Sequence, residues 1–352
     1  MSEQGRNNSW SRSDRAGVLT VALLIALALT WFGETPTAGQ SDALPAPLFH
    51  HLHLNSTNPD RAIDFYTRQF PSTSRTSWAG LPALKSANNV LVVFTTVPTP
   101  PPTEPQTAIW HFGWHVTDVR ARMEAFKRRK DVRLLPLYAT DEGDTVLISS
   151  DTWPGTGGVL GLTKAQIASA RSAGVQPSGG PGFAYLQGPD NATVEYQGNF
   201  PAERFNHVHL YQEDPFCAQF WYQKHLLGQG RVGVTLPAEA ACRVPRASAP
   251  TWPALEKEGA FRTPSAGVTF GDVALNWYAR QGDRPLASTR GHLADHVALS
   301  VASLDLWVAK LRSEGVAIAE QPHTVGDTRT VMIEGPSREA IELVEVGASG
   351  RR

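Results

Sequence analysis

A chain of 352 residues is longer than one hydrophobic core usually serves, so two domains or a series of repeated units is expected. Its 32 basic and 33 acidic residues leave a formal charge of −1, which gives no footprint for nucleic acid or an anionic membrane and suits small, near-neutral ligands. With 41% apolar and 18% charged residues, the body of the chain is globular rather than disordered.

Residues 1–48 stand apart. Arg12 and Arg15 precede the apolar run "AGVLTVALLIALALTWFG" (16–33), and a loop-like stretch follows it. The run suits a signal-peptide core and is marginal for a membrane span, so it reads as an export signal cleaved after Ala38 or Gly39, or as an uncleaved N-terminal anchor. In either case the mature chain is expected outside the cytoplasm, periplasmic or secreted. Membrane contact would come only through that anchor.

The first strand-helix unit opens with "FHHLHLNSTNPDRAIDFY" (49–66), and the same letters return at the same offsets in "FNHVHLYQEDPFCAQFWY" (205–222). His51 aligns with His207, His53 with His209, Pro59 with Pro215 and Tyr66 with Tyr222. A short alternating strand leads through a polar turn and a proline into a helix with apolar positions three and four apart. A second related pair begins at His111 and at His296, with Val116 matching Val301 and Phe126 matching Leu311 at helical spacing. Each of these units closes with a glycine turn and a strand, "GPDNATVEYQ" and "GPSREAIELVE", which carry Glu195 and Glu342 seven residues after the glycine.

Further strand-like runs lie between these landmarks: "NNVLVVFTTV", "DTVLISS", "FAYLQ", "GVTFG", "DVALNWYAR" and "TVMIEG". The chain therefore reads as an α+β fold of four βαβββ units, grouped in sequence order as 1+2 (49–200) and 3+4 (205–346), with a tail at 347–352. "VPTPPPTEPQ" (97–106), with five prolines, is expected to be extended and exposed between units 1 and 2. Two irregular insertions, 151–182 and 228–266, are either functional covers or tolerated excursions. Cys217 and Cys242 are the sole cysteines. Export would permit a bridge, but the sequence does not say whether they meet.

Two neutral imidazoles and a carboxylate on one face of a metal leave other positions open to substrate, the arrangement called a facial triad. Under the sequence-order grouping the triads are His51, His111 and Glu195, and His207, His296 and Glu342. A glutamate on the inner face of a strand would be heavily penalised without such a partner. His53 and His209 lie two residues beyond a presumed ligand and so face the same side. They read as catalytic residues that shuttle a proton or orient substrate, or as buried hydrogen-bonding rings. His50 should point the other way. Tyr66 and Tyr222 read as packing residues, and Trp110, Trp114, Trp153, Trp221 and Trp277 are available as ligand-binding walls or core.

The strands at 49–54 and 205–210, the units opening at His111 and His296, and the closing "GPxxxxxE" resemble the vicinal oxygen chelate superfamily, which includes glyoxalase I, bleomycin-resistance proteins and extradiol dioxygenases. The resemblance covers about residues 49–346. It implies cupped mixed sheets built from paired βαβββ units, each holding one divalent metal (Fe(II), Mn(II) or Zn(II)) that a small oxygen-rich substrate chelates. It also implies His51, His111, Glu195, His207, His296 and Glu342 as ligands. Glyoxalase-type sites carry a second glutamate on the last strand of the other unit, and no carboxylate stands in register there. The implied function is an exported metalloenzyme of extradiol-dioxygenase-like or lyase/isomerase chemistry. The alternative is a binding protein of the bleomycin-resistance kind.

Overall fold

The computed structural model describes residues 44–135, 138–139, 145–146, 169, 172–174, 183–198, 200–245, 251–253, 260–280 and 284–347. The apolar run 16–33, Trp153 and nearly all of the first insertion lie outside the described residues. No helix among the described residues is long and apolar enough to cross a membrane.

Unit 1 contains β1 (Leu48–Ser56), α1 (Pro59–Gln69), β2 (Ser74–Trp78), β3 (Leu81–Lys85) and β4 (Leu91–Thr96). Unit 2 contains β5 (Ile109–His115), α2 (Val119–Lys127), β6 (Leu134–Leu135), a small hairpin β7 (Tyr138–Ala139) and β8 (Thr145–Val146), then β9 (Phe183–Gln187) and β10 (Thr193–Gln197). Unit 3 contains β11 (Arg204–Gln212), α3 (Pro215–Leu226), β12 (Gln229–Gly230), β13 (Thr251–Pro253), β14 (Ala260–Phe270) and β15 (Val273–Ala279). Unit 4 contains β16 (Ala294–Val301), α4 (Leu304–Ser313), β17 (Ile318–Val325), β18 (Thr328–Glu334) and β19 (Ala340–Glu345).

The helices begin where local chemistry favours them. Asn58 accepts a hydrogen bond from the Arg61 amide at 3.0 Å, Pro59 occupies the first turn, and α1 buries Ala62, Ile63 and Tyr66. Ser303 caps α4, which buries Trp307, Val308 and Leu311. Helix α3 stops at Leu227, whose φ of 56° lies in the left-handed region.

The sheet order corrects the expected grouping. One sheet runs β17-β18-β19-β16-β1-β4-β3-β2, joining units 1 and 4. The other runs β12-β14-β15-β11-β5-β10-β9-β6, with β13 beside β14, and joins units 2 and 3. At the centre of each sheet two first strands pair antiparallel, β1 with β16 and β5 with β11, and each takes its own unit's last strand in parallel on its far side. Units adjacent in sequence instead meet through turns and helix faces. Ser56 and Thr57 donate to Asp190 between units 1 and 2, and Gln212 and Tyr222 donate to buried Glu339 between units 3 and 4. Repeated letters identify the copies, but edge-to-edge pairing of strands over 240 residues apart leaves no local signal.

The core lies between the sheets' inner faces. Phe49 of β1 stacks on Phe205 of β11 at 5.7 Å, and Phe205 also meets Phe112 and Trp114 of β5. Tyr66 packs over Phe94, Phe112 and Trp114, while Tyr222 packs on Trp277, so both tyrosines are core residues. Strand alternation then turns the histidines to the opposite faces, the concave sides of two cups.

Candidate metal centres

Strand register assembles each cluster. Across the β1/β16 pair His51 stands opposite Ala298 and His53 opposite His296, and β19 places Glu342 beside Ala298. Across the β5/β11 pair His207 stands opposite Gly113 and His209 opposite His111, and β10 places Glu195 beside Gly113. The first cup therefore gathers His51, His53, His296 and Glu342; the second gathers His207, His209, His111 and Glu195. All eight residues singled out in the sequence fall into one cluster or the other. The expected triads are corrected: His111 and Glu195 join His207 rather than His51, and His296 and Glu342 join His51 rather than His207. The cause is the strand pairing.

In the first cup, His51 Nε2 and His296 Nε2 lie 3.4 and 3.5 Å from Glu342 Oε2. All three atoms are buried and have no hydrogen-bond partner among the described residues. Such atoms are costly unless something else satisfies them. Bonds of ~2.0–2.2 Å at tetrahedral or octahedral angles place ligand atoms ~3–3.5 Å apart, a spacing that both histidine–Glu342 pairs match; one ring nitrogen from each of His51, His53 and His296 also lies within 4.8 Å of the other two. In the second cup His111 Nε2 is 2.9 Å and His207 Nε2 3.4 Å from Glu195 Oε2. One ring or carboxylate atom from each of His111, Glu195, His207 and His209 lies within 4.8 Å of all the others.

A β-bulge interrupts each central strand near its histidines, and the bulged residues decide what surrounds each cluster. In the first cup they are His50 and Asp295. His50 does not point away as expected: the bulge breaks alternation, and its Nδ1 shares a 2.8 Å hydrogen bond with His51 Nδ1. Asp295 accepts a 2.6 Å bond from His296 Nδ1 and is itself held by Arg290 and the Gly291 amide, which leaves the Nε2 face of His296 for the cation. In the second cup the corresponding bulge residues are Asn206 and Trp110. Trp110 meets His111 edge-on at 4.1 Å and stacks on His209 at 6.1 Å, and Tyr185 and Tyr278 close on His111 and His209.

Protonation follows these surroundings. Burial pushes the His51 imidazole well below its ordinary value, reinforced by His50, His296 and His53. His53 falls to about 3, through burial and then His296. It shares a 2.8 Å hydrogen bond with Thr95 Oγ1 and stacks on His296, and both contacts fix the orientation of its ring. Burial also lowers His209 well below its usual value and His111 to about 4, Glu195 opposing in both. His296 moves the other way: burial lowers it, but Asp295 and Glu342 outweigh that and raise it. For Glu195 burial works upward, yet His207 and His111 hold the carboxyl well below the usual range.

The first cup opens into a cavity of about 430 Å³ lined by His53, Trp78, Thr95, Arg290, His296 and Glu342 among others. Trp78, on the β2–β3 hairpin, lies 4.7 Å from His51 and edge-on to His50. Two residues past the partners of His51 and His207 on the opposite last strands, where Glu342 and Glu195 stand relative to His296 and His111, lie Val93 and Asn276, so neither position carries a second carboxylate. Of the tryptophans considered as walls, Trp114 and Trp277 are fully buried in the core and Trp221 packs against it, while Trp110 borders the second cup. Trp78, Asp295 and Arg290 were missed. For Asp295 a signal existed, a carboxylate directly before a candidate ligand in "ADHVAL".

Residues 204–343 match the Glyoxalase/Bleomycin resistance protein/Dioxygenase superfamily. That part of the chain is similar to this superfamily. Its architecture is similar to the crystal structure of glyoxalase I from Zea mays, at 14% identity and a TM-score of 0.54, covering 85% of this chain and 92% of that one. It is also similar to a "putative dioxygenase" from Bacillus subtilis subsp. subtilis str. 168, at 10% identity and a TM-score of 0.51, with 88% of each chain covered. At these identities the likeness is one of fold: α+β, with two mixed sheets. No curated protein matches the sequence.

Proposed function

We propose that the first cup is the working centre of an exported, metal-dependent enzyme acting on a small oxygen-rich substrate. The carrying observation is the convergence of three buried, unpartnered atoms, His51 Nε2, His296 Nε2 and Glu342 Oε2, beside a 430 Å³ cavity that His296 and Glu342 line. Fe(II), Mn(II) or Zn(II) held there supplies Lewis-acid polarisation of adjacent substrate oxygens, or with iron the ring-cleaving chemistry of extradiol dioxygenases. His53, neutral and fixed by Thr95, orients the substrate's oxygen-bearing end, and Trp78, Leu81 and Val97 exclude water from its apolar part. Arg290 locks Asp295, and through it the ring of His296. The missing second carboxylate favours dioxygenase-like or other lyase and isomerase reactions over glyoxalase turnover. Export is supported by the apolar run 16–33 and by a disulfide between Cys217 and Cys242, a bond that persists in oxidising compartments.

The test is elemental analysis of the purified chain with Glu342→Gln and Glu195→Gln variants. Bound divalent metal that falls with Glu342→Gln supports the proposal; metal content unchanged in both variants overturns it. The alternative, a sequestering protein, is favoured by the aromatic closure of the second cup, where Trp110, Tyr185 and Tyr278 surround the histidines. Saturable ligand binding without turnover in the metal-loaded protein would select it.

A further inference from the structure

A separate cavity of about 350 Å³ lies at the ends of the central strands, where the connection after unit 1 passes over the seam between the sheets. Its walls come from every unit or connection around that seam: Glu104 and Gln106, Trp110 and Phe112, Tyr211, and His292 with Leu293. The proline-rich connection there is largely exposed, with Pro101 buried, and backbone hydrogen bonds hold its end in place. The Ala287 amide donates to Gln106 O at 2.9 Å, the Tyr211 amide to Ala108 O at 2.7 Å, and the Leu293 amide reaches Pro102 O. The cavity is therefore preformed, and its volume is within the range of small-molecule sites.

Three features define what would fit. Trp110 and Tyr211 form a stacked aromatic wall, with centroids 5.1 Å apart and planes within 18°. Among the described residues of the lining Glu104 is the one that is formally charged, and none is a lysine or arginine. Both ring nitrogens of His292 are buried without a hydrogen-bond partner among the described residues, a state that calls for a polar ligand or water. An aromatic face beside a lone carboxylate attracts a cation and repels an anion.

We propose that this cavity binds a small organic cation, an aromatic or alkyl amine, with its charge over Trp110 and Tyr211 and near Glu104, and with His292 as the hydrogen-bonding partner. Trp110 also stacks on His209, so the ligand would sit one side chain from the second cup. Calorimetric titration of the full chain with phenethylamine and with phenethyl alcohol, its neutral counterpart, tests the proposal. Expected are one saturable site for the amine, at least tenfold weaker binding of the alcohol, and at least tenfold loss of amine affinity in Glu104→Gln and His292→Phe. Glu104 is exposed, so its variant should fold, and circular dichroism checks both. No saturable binding of the amine, equal binding of amine and alcohol, or folded variants that both bind as the parent does would overturn it.

Discussion

The two cups have the same backbone and different linings. Both centre on an antiparallel strand pair with bulges at corresponding positions, and both bring two histidines to one glutamate. In the first, the bulges present His50 and Asp295, and a polar set braces the rings beside an open cavity. In the second they present Asn206 and Trp110, and aromatic rings crowd the cluster. The floor differs as well: Ala298 in the first cup corresponds to Gly113 in the second. A Cβ on Gly113 would stand 2.6 Å from both the Glu195 carbonyl oxygen and His207 Cε1, so the second cluster is tighter and depends on that glycine. A common scaffold thus fixes where ligands meet, while single bulge residues set how each site is supported and reached.

Removing a ligand should divide the cups most sharply. Glu342→Ala is expected to abolish metal binding in the first cup, an affinity loss of more than about a hundredfold, beyond the ~10–100-fold typical of losing a supporting residue. One equivalent should remain in the second cup, read by elemental analysis. Asp295→Asn keeps the shape but weakens the brace on His296, and about a 10–100-fold loss of metal affinity confined to the first cup is expected by competition titration. An equal loss in both cups would show that the bulge residues do not distinguish them.

Gly113→Ala should cost about 1–3 kcal/mol in chemical denaturation because the obstructing atoms include backbone. The mirror change Ala298→Gly should cost only about 0.5–1 kcal/mol. A further difference concerns pH. His111 is lowered from 6.5 to about 4, so the unfolded chain takes up its proton first as pH falls. Metal-free stability should therefore drop between pH 6.5 and 4 by about 1.4 kcal/mol per pH unit for such a group. His296, raised, has the opposite sign: its contribution is complete below pH 6.5 and is lost as pH rises through its folded value. His111→Gln should flatten the loss between pH 6.5 and 4, and His296→Gln should remove the loss that sets in as pH rises above 6.5.

Much of this was legible in the sequence. Offsets such as His51/His207 and Glu195/Glu342 revealed the four units, and leading prolines and apolar spacing placed helices after Pro59, after Pro215 and through Val308 and Leu311. Each candidate ligand could be named because a histidine or glutamate on the face opposite an apolar strand face is unusual. The partnership was not legible, since whether His51 meets His111 or His296 depends on which strand edge closes first in space. Nor was the return of His50 and Asp295 to the cup, because a bulge cancels the two-residue alternation from which facing is read.

The most direct measurement is an anomalous-scattering map of the metal-loaded protein, recorded at the absorption edge of the bound element. A peak ~2.0–2.2 Å from His51 Nε2, His296 Nε2 and a Glu342 oxygen is predicted. A peak joining His51 to His111, or no peak in the first cup, would contradict the account.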